Sequence, residues 1–139
     1  MASMLLVIVV GAPSIFGLLT RTLTLSGVGK VLTVSVGAYW DYTCTDTVTS
    51  IDWGSIDPGA SKSVVMYLKN EGNTPITLSL NTTDWSPSSA KDFLSLDWDY
   101  AGGEIPPEGV IEVTLTLTVS AGVSGITSFA FDIVMTGTG

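Results

Sequence analysis

The sequence predicts an all-β fold, a single antiparallel β-sandwich of the jelly-roll or immunoglobulin type that follows an apolar N-terminal arm. Three observations predict it. Apolar and polar residues alternate with period two in six separate runs, clusters of turn-forming residues separate the runs, and no helical stripe follows residue 20. The 139 residues are enough for one domain. We therefore divide the chain into an arm at 1–29 and a sandwich domain at 30–139.

The alternating runs follow one another along the predicted domain. They lie at 32–38, 64–68, 76–80, 94–98, 111–119 and 129–135, and β-branched residues dominate them, as pleated surfaces favour. We expect the domain's first strand to begin at about Lys30. The turn clusters are DPGAS at 57–61, NEGNTP at 70–75, SPSS at 86–89, AGGEIPPEG at 101–109 and SAGVSG at 120–125. NEGN joins two alternating runs, which predicts a hairpin between them.

Composition excludes some partners. Hydrophobic residues make up 45% of the chain and charged residues only 13%, and the net charge is −8. The five Lys and Arg residues are scattered, so nothing resembles the basic patch that nucleic acids or anionic membrane surfaces require. A chain this apolar and this poor in charge buries much of its surface against partners or contacts a membrane.

The residue types also argue against catalysis. The sequence has no histidine, which removes His-based triads, His-ligated metals and the commonest general base at neutral pH. Carboxylates gather around LDWDYAGGE, where Ca²⁺ is one interpretation, but Asp97 and Asp99 alternate with inward residues, as on a solvated strand face. We therefore predict no catalytic, cofactor-binding or metal-binding residue, and no enzyme.

Three residues each have a structural and a functional interpretation. Trp98 has the parity of Leu94 and Leu96, which favours core packing over sugar binding. Cys44 is the only cysteine, so it is a small, partly buried side chain or, alternatively, a reactive or intermolecular thiol. Asn81 begins the sequon NTT, after a predicted strand, and is a predicted glycosylation site if the chain is extracellular.

The first 19 residues carry no charged side chain, and several interpretations stay open. The run has the length of a signal-peptide core or a short membrane span. It lacks a preceding Lys or Arg, and Pro13 and Gly17 interrupt it, which makes it an imperfect signal. It is a cleaved leader, or a helix or a strand of the mature chain, and we favour its retention.

The stretch SIDWGSIDPGASKSVVMYLKNEGNTPITLSL, at 50–80, resembles the TasA/camelysin family of biofilm-matrix fibre proteins, and in particular archaeal bundling-pilus subunits. The similar pattern is an apolar strand end, Pro58 and Gly59, an alternating strand, an Asn-x-Gly turn at 70–72 and another strand. The resemblance covers roughly 26–137. It implies a secreted jelly-roll-like subunit that polymerises by donor-strand complementation. The protease activity described for camelysin is not implied, because the chain has no H-E-x-x-H.

Physical reasoning also favours polymerisation. A sandwich that lacks one strand exposes an apolar groove and unpaired backbone groups, and a strand exchanged between copies covers both. In TRTLTLSGVGKVLTVSVGAYWD, at 20–41, two glycines separate an early alternating segment from a later one. We predict a donor strand at about 21–36. Its candidate anchors are Leu23, Leu25, Val28, Val31, Leu32 and Val34.

The predicted function is therefore a structural subunit of an extracellular, cell-surface filament, a pilus or a biofilm-matrix fibre, whose partner is itself. Lateral contacts between filaments are a further expectation, and the membrane is a partner only before assembly. Two alternatives remain. One is a type IV-like pilin with an N-terminal helix in the filament core. The other is a surface-anchored β-sandwich adhesin that binds glycans.

Overall fold

The computed structural model describes residues 22–139, so the apolar run at 1–19 and Arg21 of the predicted donor strand lie outside the described residues. The chain divides between Lys30 and Val31 into two units. Residues 22–30 of the first unit contain no helix or strand. The second unit contains β1 (Val36–Tyr39), β2 (Ser61–Asn70), β3 (Thr77–Ser86), a 3₁₀ turn (Ser88–Asp92), β4 (Leu94–Trp98), β5 (Val110–Val119) and β6 (Ala130–Thr138).

The strands form two antiparallel sheets, which confirms the predicted all-β sandwich. The larger sheet has the order β1-β2-β5-β4, and the smaller sheet contains β3 and β6. β2 and β5 pair over nine residues without a register shift, and β3 and β6 pair with one shift between Thr83 and Ser86. The alternation of inward and outward residues in the sequence is therefore preserved along the longest strands.

The core lies where the inward faces of the sheets meet. The side chains of Met66, Leu68, Leu115 and Leu117, from β2 and β5, have at most 1% of their surface exposed. The outward neighbours of Leu115 and Leu117 are threonines, and two cross-strand pairs on the outer face bond at 2.9 Å between side-chain oxygens, Ser61 with Thr118 and Ser63 with Thr116. Leu78 of β3 and the isolated bridge between Ile76 and Ile105 add buried side chains from the other side.

The predicted hairpin at NEGN is wrong, because this turn carries the chain from one sheet to the other. β2 pairs with β1 and β5, whereas β3 pairs with β6. Asn70 is fully buried at the crossing and donates from Nδ2 to the carbonyl oxygens of Thr74, at 2.8 Å, and Ile105, at 2.9 Å. Its Oδ1 accepts the Gly72 N–H at 3.0 Å. The buried amide thus binds backbone groups of the turn and of Ile105.

The first strand begins at Val36 and not at about Lys30, as the alternation predicted. Residues 31–35 are exposed and extend beyond the end of β2, where β1 has no further strand residue to pair with. Pairing with a neighbour, and not alternation alone, decides where a strand begins.

The structure also places the single positions. Trp98 packs against the core, and Asp97 and Asp99 are exposed on the outer face, as predicted. Asn81 is exposed, but it lies inside β3 and not after it, opposite Val134 of β6. Within residues 22–139, the structure contains no helix that could span a bilayer.

Candidate functional site: an apolar groove and an exposed apolar segment

The smaller sheet has an unpaired edge along β6. β3 pairs with one side of β6 from Thr77 to Ser86, and within residues 22–139 no strand pairs with its other side. Every second residue of this nine-residue strand therefore directs its backbone N–H and C=O groups to that side. An edge of this kind is a template for another strand.

A groove of about 890 Å³ opens beside β6. Its floor is made by Met66, Leu94 and Val119, which are buried side chains of the larger sheet. One wall is β6 with the residues before it, and the opposite wall is the irregular segment 48–58. The half-buried apolar side chains of the two walls are Val48, Ile51, Ile56, Val123, Ile126, Phe129, Phe131, Ile133 and Met135.

The inward side chains of β6 are less well covered than those of β5. Phe131, Ile133 and Met135 alternate inward but remain half-buried, whereas Leu115 and Leu117 at equivalent depth in the larger sheet have no exposed surface. Both strands contribute to the same core, so the difference comes from what lies beside each strand. β5 has neighbours on both sides, and β6 has one. The groove is thus lined by a strand that has a neighbour on only one side.

The wall segments are held in place by turns and aromatic packing. Trp85 of β3 stacks on Phe131 of β6, with ring centroids 4.2 Å apart. In the opposite wall, Trp53 is buried, and the Asp52 carboxylate accepts the Gly54 N–H at 2.9 Å, where Gly54 has a positive φ of 64°. These contacts order residues of both walls.

Two carboxylates lie at the groove's outer edge. Asp132 of β6 lines the groove. Asp84 of β3 lies within the register shift between Thr83 and Ser86 and has a positive φ of 55°. A hydrogen bond between the two side chains, together with desolvation and the repulsion of the second charge, raises the pKa of Asp132.

The six predicted anchor residues are all exposed. Their exposed fractions run from 47% for Val34 to 100% for Val28, and they include most of the large exposed hydrophobic side chains of residues 22–139. Of the three anchors that belong to the sandwich unit, Val31, Leu32 and Val34, none packs against its core. Isolated exposed apolar residues are normal, but six within 12 positions are not.

The backbone separates the six anchors into two groups. Leu23, Leu25 and Val28 belong to the segment 22–30, which contains no strand. Val31, Leu32 and Val34 belong to the sandwich unit, and hydrogen bonds from the 71–73 turn hold the backbone between them. The structure describes only the last part of the arm predicted at 1–29. From here on, the arm means residues 22–30, and the arm base means residues 31–35.

The groove was not predicted from the sequence. Much of the two groove walls lies at 48–56 and 126–128, for which the sequence predicted neither a strand nor a turn, and in the turn cluster at 120–125. One sequence feature could have indicated these walls. Single Val or Ile residues recur there among small and turn-forming residues, at Val48, Ile51, Ile56, Val123 and Ile126. Such residues are too widely spaced to predict a strand, but they cover a core from a loop.

The loop after β1 is ordered by one carboxylate and contains Cys44. Asp41 accepts hydrogen bonds from the Thr43 hydroxyl, the Thr45 hydroxyl and N–H, and the Asp46 N–H. These bonds hold the pKa of Asp41 well below its usual range, the side-chain bonds of Thr43 and Thr45 contributing most. Cys44 is a half-buried free thiol with a positive φ of 57°.

Neither a metal site nor a relative identifies the function. Among residues 22–139, no three His, Cys, Asp or Glu side chains are arranged to hold a metal ion. Comparison with protein-family models, with curated proteins and with solved structures gives no match to this chain. The groove and the exposed apolar segment are the features of residues 22–139 that point to a function.

Proposed function

We propose that the protein is a structural subunit of an extracellular filament and that copies join by donor-strand exchange. In this proposal the arm of one copy lies in the groove of the next and pairs with the free edge of β6. The observation that carries it is the coexistence of an uncovered apolar groove and an exposed apolar segment in one chain. The resemblance to biofilm-matrix fibre and bundling-pilus subunits supports the same function.

The lengths of the two partners match. The groove follows the chain from Ser128, two residues before β6, to Met135 of β6, which is about 23 Å of extended chain at roughly 3.3 Å per residue. Residues 22–29 supply a strand of the same length. Leu23 and Leu25 have the same parity, so both side chains point to one face of an extended strand and Thr22 and Thr24 point to the other.

The energetics favour insertion. Burial of one leucine side chain contributes about 1.5–3 kcal/mol, and the two leucines of the arm do so together with the half-buried residues of the groove walls. The backbone of the arm supplies partners for the edge of β6, as in other cases of strand addition. The charge distribution is compatible, since the 13 Asp and Glu residues all follow residue 40, whereas the charged residues before it are Arg21 and Lys30.

Exchange between copies generates a filament because the contact is heterologous. The donor surface and the acceptor surface are different parts of the chain, so each copy that accepts an arm still offers its own. Such a series continues unless its rotation closes a ring. A low content of charged residues, 13%, suits a protein whose surface is largely covered by other copies.

The direct test replaces the two arm leucines. We expect the double variant Leu23→Gln and Leu25→Gln of the full chain to remain monomeric in sedimentation and to form no fibres in electron micrographs. The matched control is Thr22→Gln with Thr24→Gln, which places the same side chains on the opposite face of the strand and should still assemble. Filaments of normal length from the leucine variant would contradict the proposal.

A second experiment tests the groove as the acceptor. A synthetic peptide with the sequence of residues 22–30 should raise the Tm of the monomeric leucine variant, and the increase should grow with the logarithm of peptide concentration above the Kd. The same peptide with glutamine at both leucine positions is the control. Equal effects of the two peptides, or none, would exclude donor-strand binding in the groove.

One observation favours glycan binding as a second candidate function. Tyr42 is 68% exposed and lies edge-on against Tyr67, with ring centroids 5.9 Å apart. Exposed aromatic rings stack on the apolar faces of sugars, and a buried ring does not. Glycan-array binding by the monomeric leucine variant, lost on Tyr42→Ala, would support this function. Its absence leaves the filament proposal as the better one.

A further inference from the structure

The arm base follows a defined path beyond the end of the β1–β2 ladder. Val36 and Asn70 are the last paired residues of that ladder. Beyond them the Glu71 N–H donates to the Ser35 carbonyl oxygen at 2.8 Å, and the Asn73 N–H donates to the Thr33 carbonyl oxygen at 3.2 Å. The turn that joins the two sheets thus continues the pairing of β1 by two more backbone bonds.

The side chain of Asn73 completes this path. The Thr33 N–H donates to Asn73 Oδ1 at 2.8 Å, and Asn73 Nδ2 donates to the Val31 carbonyl oxygen at 2.9 Å. One carboxamide thus binds an N–H and a C=O two residues apart, as the opposite residue of a strand pair does. Asparagine and glutamine are the side chains that offer this combination of a neutral donor and acceptor.

Three glycines lie close to the arm base. A Cβ on Gly72 would lie 2.3 Å from the Thr33 carbonyl oxygen. On the other side, Cβ atoms on Gly137 and Gly139 would lie 3.3 Å and 3.2 Å from the side chain of Val34. The backbone at Thr33 and the side chain of Val34 therefore lie against positions without a side chain.

We propose that Asn73 is a clamp that fixes the point at which the arm leaves its own subunit, and thereby sets the spacing between joined subunits. This inference depends on the proposed function. With the backbone held as far as Val31, the donor segment has a fixed maximum reach. At roughly 3.3 Å per residue, Leu25 lies at most about 20 Å and Leu23 at most about 26 Å from Val31.

Release of the clamp lengthens that reach. If residues 31–35 are free, the first held residue is Val36, which adds five residues, or about 16 Å of extended chain. Joined copies then have a longer and less uniform separation. Asn73 is accordingly a positioning residue for assembly, and it contributes no contact to the groove of the next copy.

Amide hydrogen exchange tests the clamp separately from polymerisation. In the monomeric Leu23→Gln, Leu25→Gln chain, the Thr33 amide should be protected and the Val28 amide should not. Adding Asn73→Ala should accelerate exchange at Thr33 on the order of tenfold, and Asn73→Asp, which retains the acceptor for Thr33, should accelerate it less. Asn81→Ala, at an exposed position of β3, is the control. Equal exchange at Thr33 in all variants would refute the clamp.

The filament measurement then tests the spacing. Full-length Asn73→Ala should still assemble, with an axial repeat that is longer or more variable than that of the wild-type filament in electron micrographs. An unchanged, uniform repeat in a variant whose Thr33 amide exchanges rapidly would overturn the inferred control of spacing. If the wild-type chain makes no filaments, the proposed function fails, whereas the exchange result at Thr33 still decides whether the clamp exists.

Discussion

Gly72 lies directly against the backbone of Thr33, where a Cβ would come within 2.3 Å of the Thr33 carbonyl oxygen. The two residues are 39 positions apart, and their contact seats the arm base on the turn between the sheets. Gly72 has no positive φ, so its role is space and not backbone conformation. Any side chain at this position must displace the backbone of residues 33–35.

We predict that Gly72→Ala destabilises the domain by about 1–3 kcal/mol, the usual effect of forcing an atom into a packed site. Urea unfolding of the monomeric leucine variant, followed by tryptophan fluorescence, measures it. Gly103→Ala is the matched control, because a Cβ there meets no atom within 4 Å, and its effect should stay within about 0.5 kcal/mol. Equal effects of the two substitutions would contradict the packing argument.

Asn70→Ala should be among the most destabilising substitutions of a polar residue in the domain. The side chain is fully buried, and its loss removes the hydrogen bonds that it makes to the Thr74 carbonyl oxygen and the Gly72 N–H. The Ile105 carbonyl oxygen loses one of two bonds and keeps the one from the Ile76 N–H. We expect a loss of about 2–4 kcal/mol in the free energy of unfolding. Asn81→Ala, on the exposed face of β3, should change it by less than about 0.5 kcal/mol.

The loop at 41–46 should stabilise the domain only while Asp41 is ionised. Its pKa in the folded protein lies below the ordinary value of 3.8, so its contribution is fully present above pH 3.8 and is lost as the pH falls further. Asp41→Asn should therefore lower Tm at pH 7, and its difference from wild type should shrink below pH 3.8. Asp57→Asn, which makes the same change in charge at an exposed turn, is the control. A Tm difference that is independent of pH would contradict the carboxylate's role.

The carboxyl pair at the edge of the groove should have the opposite pH dependence. The pKa of Asp132 is raised in the folded protein, so the folded state gains stability as the pH falls through that value towards the ordinary 3.8. Asp132→Asn should raise Tm at pH 7, because the repulsion with Asp84 is removed, and the gain should vanish near pH 3.8. Thermal melts from pH 3 to pH 7 measure it, with Asp97→Asn as the control. A lower Tm at pH 7 would show that the pair stabilises the domain.

Much of the strand content was predictable because burial of one face imposes a period of two. The alternation of Val113, Leu115 and Leu117 with threonines predicted both the strand and its inward face, and β5 has both. Turn-forming residues predicted most of the breaks between strands. The sequence also placed Leu23 and Leu25 outside the domain strands, whereas it predicted a strand at residues 31–35, which are exposed and lie outside β1.

Pairing was not predictable, because it is decided between residues far apart in the chain. The NEGN turn has the composition of a hairpin, yet buried Asn70 directs the chain to the other sheet by bonding to Ile105, 35 residues away. The start of β1 at Val36 is decided by the end of β2, and the local alternation continues beyond it.

The sequence by itself determined an all-β domain, an apolar segment before it and the absence of histidine chemistry, because composition and period are local properties. The tertiary structure decided where the groove lies, which strand edge is unpaired and where the arm leaves its own domain. These depend on which distant backbone groups are already paired. The Thr33 N–H bonds to Asn73, whereas one edge of β6 pairs with no described strand. The alternation of apolar and polar residues in these segments predicts neither fact.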